Sequence, residues 1–127
     1  MRIDIGLLVL RILAGGMMLF SHGMGKLLNF SRLSATFPDP LHVGSTLSLT
    51  LAVFAEVVCA VFVMIGLATR LAAIPLIITM FVAAAVIHAM DPWAKKEFAL
   101  LFAIPFITLA ITGAGRFSID QMKTRKQ

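Results

Sequence analysis

Residues 46–67 read TLSLTLAVFAEVVCAVFVMIGL, twenty-two consecutive positions with a single charge, Glu56. A helix of that length rises about 33 Å, enough to cross the hydrocarbon of a bilayer. The apolar residues run without alternation, so the stretch does not read as a barrel strand. Three further stretches share this character, at roughly 5–28, 71–90 and 98–113. The last is the shortest and contains Pro105. The first is too long for the apolar core of a signal peptide and continues into Gly23 and Lys26. The expectation is an all-α membrane protein, a four-transmembrane-helix bundle forming one domain over residues 1–127.

Composition agrees. Of 127 residues, 60% are hydrophobic and only 13% are charged, and mean hydropathy is +0.99. A soluble domain this small could not bury so much apolar material. Disorder is excluded by the same numbers, and a disulfide scaffold by the single Cys59. The net charge of +5 reads as a topology signal and an attraction to anionic lipid. It does not read as a nucleic-acid surface, since no soluble face remains to carry one.

The connections fit antiparallel spans. Pro38-Asp39-Pro40 interrupts the longest loop, and Gly66 to Arg70 is short enough for a tight turn. Gly113 and Gly115 end the fourth stretch. Ser118, three residues before Gln121, has capping-box spacing and opens a short basic C-terminal helix. With four spans, Arg2, Arg70, Arg116, Lys123, Arg125 and Lys126 share the side of the termini, against Lys26, Arg32, Lys95 and Lys96 opposite. This bias places both termini in the cytoplasm.

Ionisable groups inside spans are costly and mark candidate sites. Arg11 lies about 9 Å into the first span, and Glu56 lies near the middle of the second. Their depths differ by about 7 Å, within reach of an arginine. An Arg11–Glu56 ion pair or shared hydrogen-bond network is therefore expected, as a structural lock or as an intramembrane ligand or proton site; the alternative is Arg11 reaching back alone to the cytoplasmic headgroups. Arg11, Met18, His22 and Lys26 fall on one helical face, with Gly15 and Gly25 beside it to admit a neighbouring helix. His88, Asp91 and Glu97 lie at a depth similar to His22 and Lys26. The five are expected to cluster at the outer mouth. Three readings of that cluster stand open: a solvated rim, the head-group end of a pocket for a small polar or quinone-like ligand, and a His–carboxylate metal site. The spacing matches no metal motif, and Lys26 would repel a cation. Cys59 has no partner thiol, which argues against a redox role.

Several segments carry a resemblance: Leu10-Arg11-Ile12, Phe20-Ser21-His22-Gly23 and Lys26-Leu27 in the first span, Glu56 in the second, Gly66-Leu67-Ala68-Thr69-Arg70-Leu71-Ala72-Ala73, and Gly113-Ala114-Gly115-Arg116-Phe117-Ser118-Ile119-Asp120. Together they resemble the DoxX family of small four-helix bacterial membrane proteins. The resemblance implies a multi-pass protein of the bacterial inner membrane and an accessory role in a redox complex. Redox partner proteins would supply the electron carrier, quinone would be the ligand, and a homo-oligomer is compatible. Whether the chain has an enzymatic activity of its own stays open. Arg11, His22, Lys26, Glu56 and His88 are the expected ligand-binding residues, with no metal ligand and no nucleic-acid partner. The alternatives are a small oligomeric transporter or channel, whose path the Arg11–Lys26 stripe would line, and an assembly factor without a ligand.

Overall fold

The structure, a computed structural model, describes all residues 1–127. Four long helices account for most of the chain. α1 spans Arg2–Leu28, and α2 is a single turn at Phe30–Leu33. α3 is Ser45–Ile65 and α4 is Thr69–Ile87. α5 is Trp93–Thr112, and α6 is a short tail helix, Ile119–Thr124. α1, α3 and α4 are each long and apolar enough to cross a membrane. α5 has the length, but Lys95, Lys96 and Glu97 fall in its first turns.

The long helices form a closed ring in which α1 packs on α3, α3 on α4, α4 on α5 and α5 on α1. The core is built from small and medium side chains, among them Ala60, Val63, Ala73, Leu76, Ala103, Phe106 and Leu109, all at or below 1% exposure. Small residues are what close helix approach in lipid requires, because lipid tails are as apolar as leucine and only packing favours association. The outside carries exposed Leu13, Phe20, Leu71, Ile78, Leu101 and Ile111. A soluble surface does not tolerate such a continuous apolar coat, but acyl chains cover it.

Two glycines set the α1–α3 crossing. A Cβ on Gly15 would stand 2.6 Å from the Met64 side chain and 3.0 Å from the Ala60 carbonyl. One on Gly23 would stand 2.5 Å from the Glu56 carbonyl oxygen. Gly25, expected to share this task, is exposed and faces open space. The contacts run antiparallel, so Gly15 lies opposite the end of α3 and Gly23 opposite its middle. Both helices contain a π-helical turn at this level, Leu19–Gly23 in α1 and Phe54–Cys59 in α3. Such turns insert an extra residue, rotate the face that follows, and recur at functional positions. α4 has a third, Ala83–Ile87.

The ends are tied by capping. Asp39 accepts hydrogen bonds from the Val43 and Gly44 N–H groups and from the Ser48 hydroxyl at 2.7 Å. These bonds, the Ser48 one foremost, hold its carboxyl below the ordinary carboxylate range. α3 ends on Gly66 in the left-handed region, φ +73°, where glycine carries no Cβ penalty. Asp120 then caps α4 from a distance, accepting from the N–H groups of Ala68 at 2.6 Å and Thr69 at 3.0 Å. Ser118 caps α6 by accepting from the Gln121 N–H, as its spacing predicts.

Candidate functional site: a buried ion pair beside an aromatic-walled histidine

The expected Arg11–Glu56 pair does not form. Lys26 takes that place, with its Nζ 2.5 Å from Glu56 Oε2. The glutamate side chain is 5% exposed and the lysine 23%. Helical side chains lean toward the N-terminus of their own helix. In antiparallel α1 and α3, Glu56 therefore leans away from the termini, while Arg11 leans toward them. Lys26, one face-turn beyond Gly23, leans back to meet the glutamate. Depth arithmetic on Cα positions alone misses this divergence.

Arg11 is fully buried, but its contacts are structural. Nη1 donates to the Met64 carbonyl at 3.2 Å, and Nη2 donates to the Phe117 carbonyl. Nε has no partner. The guanidinium lies under Gly66, where any Cβ would collide with it. Arg11 thus ties the end of α3 and the approach to α6 onto α1.

His22 lies on the Lys26 face, half-buried. Its ring packs edge-on against Phe102, centroids 5.4 Å apart, and against Phe98 at 6.1 Å. Neither nitrogen bonds within the chain, so both remain available to a ligand. Phe98 and Phe102 also form one end of an apolar groove of about 470 Å³ between α1 and α5. Leu13, Met17, Leu101 and Pro105 line its length. This volume lies within the usual range for small-molecule pockets. The two phenylalanines carried no sequence signal beyond apolar periodicity, since their importance comes from the helix they face.

The expected five-residue cluster is divided. Two of its members meet, His88 bonding Asp91 through Nδ1 at 2.6 Å, with Lys95 at 3.9 Å from the same carboxylate. The His88 hydrogen bond holds the Asp91 carboxyl below its ordinary range, and Lys95 adds to this. Glu97 is exposed and joins neither group. No set of three or more His, Cys, Asp or Glu side chains stands close enough to hold a metal. What the structure does gather is the Lys26–Glu56 pair, with His22 one turn before Lys26 on α1, in the half of the bundle away from the termini.

An apolar helical ring with an internal ion pair and an apolar exterior defines a membrane protein. The chain belongs to the DoxX family, whose model matches residues 6–89. That match contains Arg11, His22, Lys26, Glu56 and His88, and ends before α5 and the tail. No curated protein and no solved structure matches the chain.

Proposed function

We propose that this protein is an accessory subunit of a quinone-linked redox complex in the bacterial inner membrane. In this reading it crosses the bilayer four times, with both termini in the cytoplasm, and redox partner proteins supply the electrons. The observation that carries the reading is the apolar groove between α1 and α5, lined at one end by Phe98 and Phe102, the two rings on which His22 packs. An apolar slot with a polar group behind its end wall suits a molecule with a polar ring and an isoprenoid tail. Quinone, when bound, would supply two-electron redox chemistry. His22 would donate a hydrogen bond to a ring oxygen. The Lys26–Glu56 pair, on the same helical face, would exchange a proton with His22 without opening the bundle to water.

The direct test uses the full chain purified in non-ionic detergent. A short-tailed ubiquinone analogue is expected to raise its melting temperature, and His22→Ala to abolish the rise. If neither ubiquinone nor menaquinone analogues shift the wild-type protein, the reading fails. A second reading, an assembly factor without its own ligand, draws support from Lys26 and Glu56 satisfying one another across the tight Gly23 crossing.

A further inference from the structure

We propose that a second site lies at the opposite end of the bundle, where a polar cleft of about 550 Å³ binds a phosphate group bearing net negative charge. The cleft lies between the first turn of α4, the last residues of α5 and the Gly113–Ser118 loop. Of the two arginines that line it, Arg116 is paired with Asp4 and Arg70, exposed, is not paired. The Arg70 guanidinium rests over Gly113, where an added Cβ would stand 3.3 Å from Nε. It forms no ion pair, although two carboxylates line the same cleft.

Those carboxylates are already engaged. Asp120 spends both oxygens on the Ala68 and Thr69 N–H groups. Asp4 accepts from the Arg116 N–H at 3.0 Å and lies 3.4 Å from the N-terminal ammonium. Asp4 also lies 3.8 Å from the Arg116 side chain. The donors, in contrast, are in surplus. The N–H groups of Ala114 and Gly115 bond to nothing in the chain. The Thr69 hydroxyl also lacks a partner, but it is sealed beneath the cleft and takes no part in the site. An unpaired arginine beside unpartnered backbone N–H donors suits an anion with several acceptor oxygens, which a phosphate provides.

Two sources carry that chemistry, a lipid headgroup and free phosphate. The cleft opens beside Leu71 and Ile111, which are 71% and 72% exposed. A phosphate seated against Arg70 would therefore leave attached acyl chains lying on these two side chains. Basic pockets at helix ends hold lipid headgroups in this way.

The test measures thermal stability of the full chain in non-ionic detergent, titrated separately with dioctanoyl phosphatidylglycerol, dioctanoyl phosphatidylcholine and inorganic phosphate. Phosphatidylglycerol is expected to raise the melting temperature and phosphatidylcholine to leave it unchanged. Inorganic phosphate acting as strongly as the lipid would assign the site to free phosphate, and weaker action would assign it to lipid. Either supports a phosphate site. Arg70→Gln is expected to raise the concentration needed by about tenfold. Lys123→Gln/Arg125→Gln/Lys126→Gln, which alters only the tail, should respond as wild type. Should Arg70→Gln not fold, Arg70→Lys serves, since it keeps the charge and loses the forked geometry; its response should also weaken. The proposal is overturned if no probe stabilises the protein or if phosphatidylcholine matches phosphatidylglycerol. It is equally overturned if an Arg70 variant responds as wild type, or if the tail variant loses the response.

Discussion

Lys26 Nζ stands 2.5 Å from Glu56 Oε2 at the level where Gly23 brings α1 onto the backbone of α3. The pair is worth little as an isolated attraction, because removing two charges from water costs about as much as their pairing returns. Removing one partner is different, since it leaves the other charge stranded. Glu56→Gln and Lys26→Met should each destabilise the protein by about 3 kcal/mol, read as a fall in melting temperature. Lys26→Met/Glu56→Leu should recover most of that loss. If it also recovers function in cells, the pair is a lock; if stability alone returns, the charges belong to the site.

The glycines of α1 give a sharper contrast. Gly23→Ala would press a methyl group against the Glu56 carbonyl, which belongs to backbone and cannot yield. A loss of about 2 kcal/mol is expected, within the range for overpacking. Gly25→Ala meets nothing and should be neutral or raise stability by about 0.5 kcal/mol through helix propensity. Equal effects at the two positions would contradict the crossing described above.

Arg11 and Glu56 make no contact, so their effects should be independent. Arg11→Ala leaves the Met64 and Phe117 carbonyls without their donor and should cost about 1–3 kcal/mol. The Arg11→Ala/Glu56→Gln double variant should show additivity within about 0.5 kcal/mol. The damage from Arg11→Ala should also be local. Amide exchange should rise from Phe117 through α6 while the α4–α5 interface keeps its protection.

Acid should loosen the long loop between α2 and α3. Asp39 has its carboxyl held low by Ser48 and two N–H groups, so its contribution is complete above the ordinary carboxylate value. It is lost as pH falls through the lowered folded value. Exchange at Val43 and Gly44 should accelerate in that acid range. In Asp39→Asn, exchange at these amides should be faster at neutral pH and the acid step should vanish.

The helices were legible because each is a long apolar run ended by Pro, Gly or charge, and such runs have few folding options in lipid. The polar stripe on α1 was legible for a related reason: four residues at helical spacing must share a face. Partner choice was not. The spacing of Arg11 and Glu56 along the membrane normal is correct as arithmetic, but side-chain lean sends them to opposite ends. Gly23 and Gly25 look alike in sequence, and only the π-helical turn ending at Gly23 decides which one meets α3. His22 was visible as a polar interruption. Its phenylalanine neighbours were not, because nothing in an apolar helix marks which rings will face it. His88 takes as its partner Asp91, the acid three residues on that sequence spacing already places beside it.

The Arg11 contacts also impose an order on synthesis. Arg11 is synthesised before both of its carbonyl partners, one on Met64 and the other on Phe117, 106 positions later. α1 alone therefore cannot settle its arginine in lipid as the chain emerges. The charge must stay near the headgroups or beside the translocation machinery until the final loop arrives. The loop that carries Phe117 thus completes α1, and a chain halted before Phe117 would carry its defect in α1.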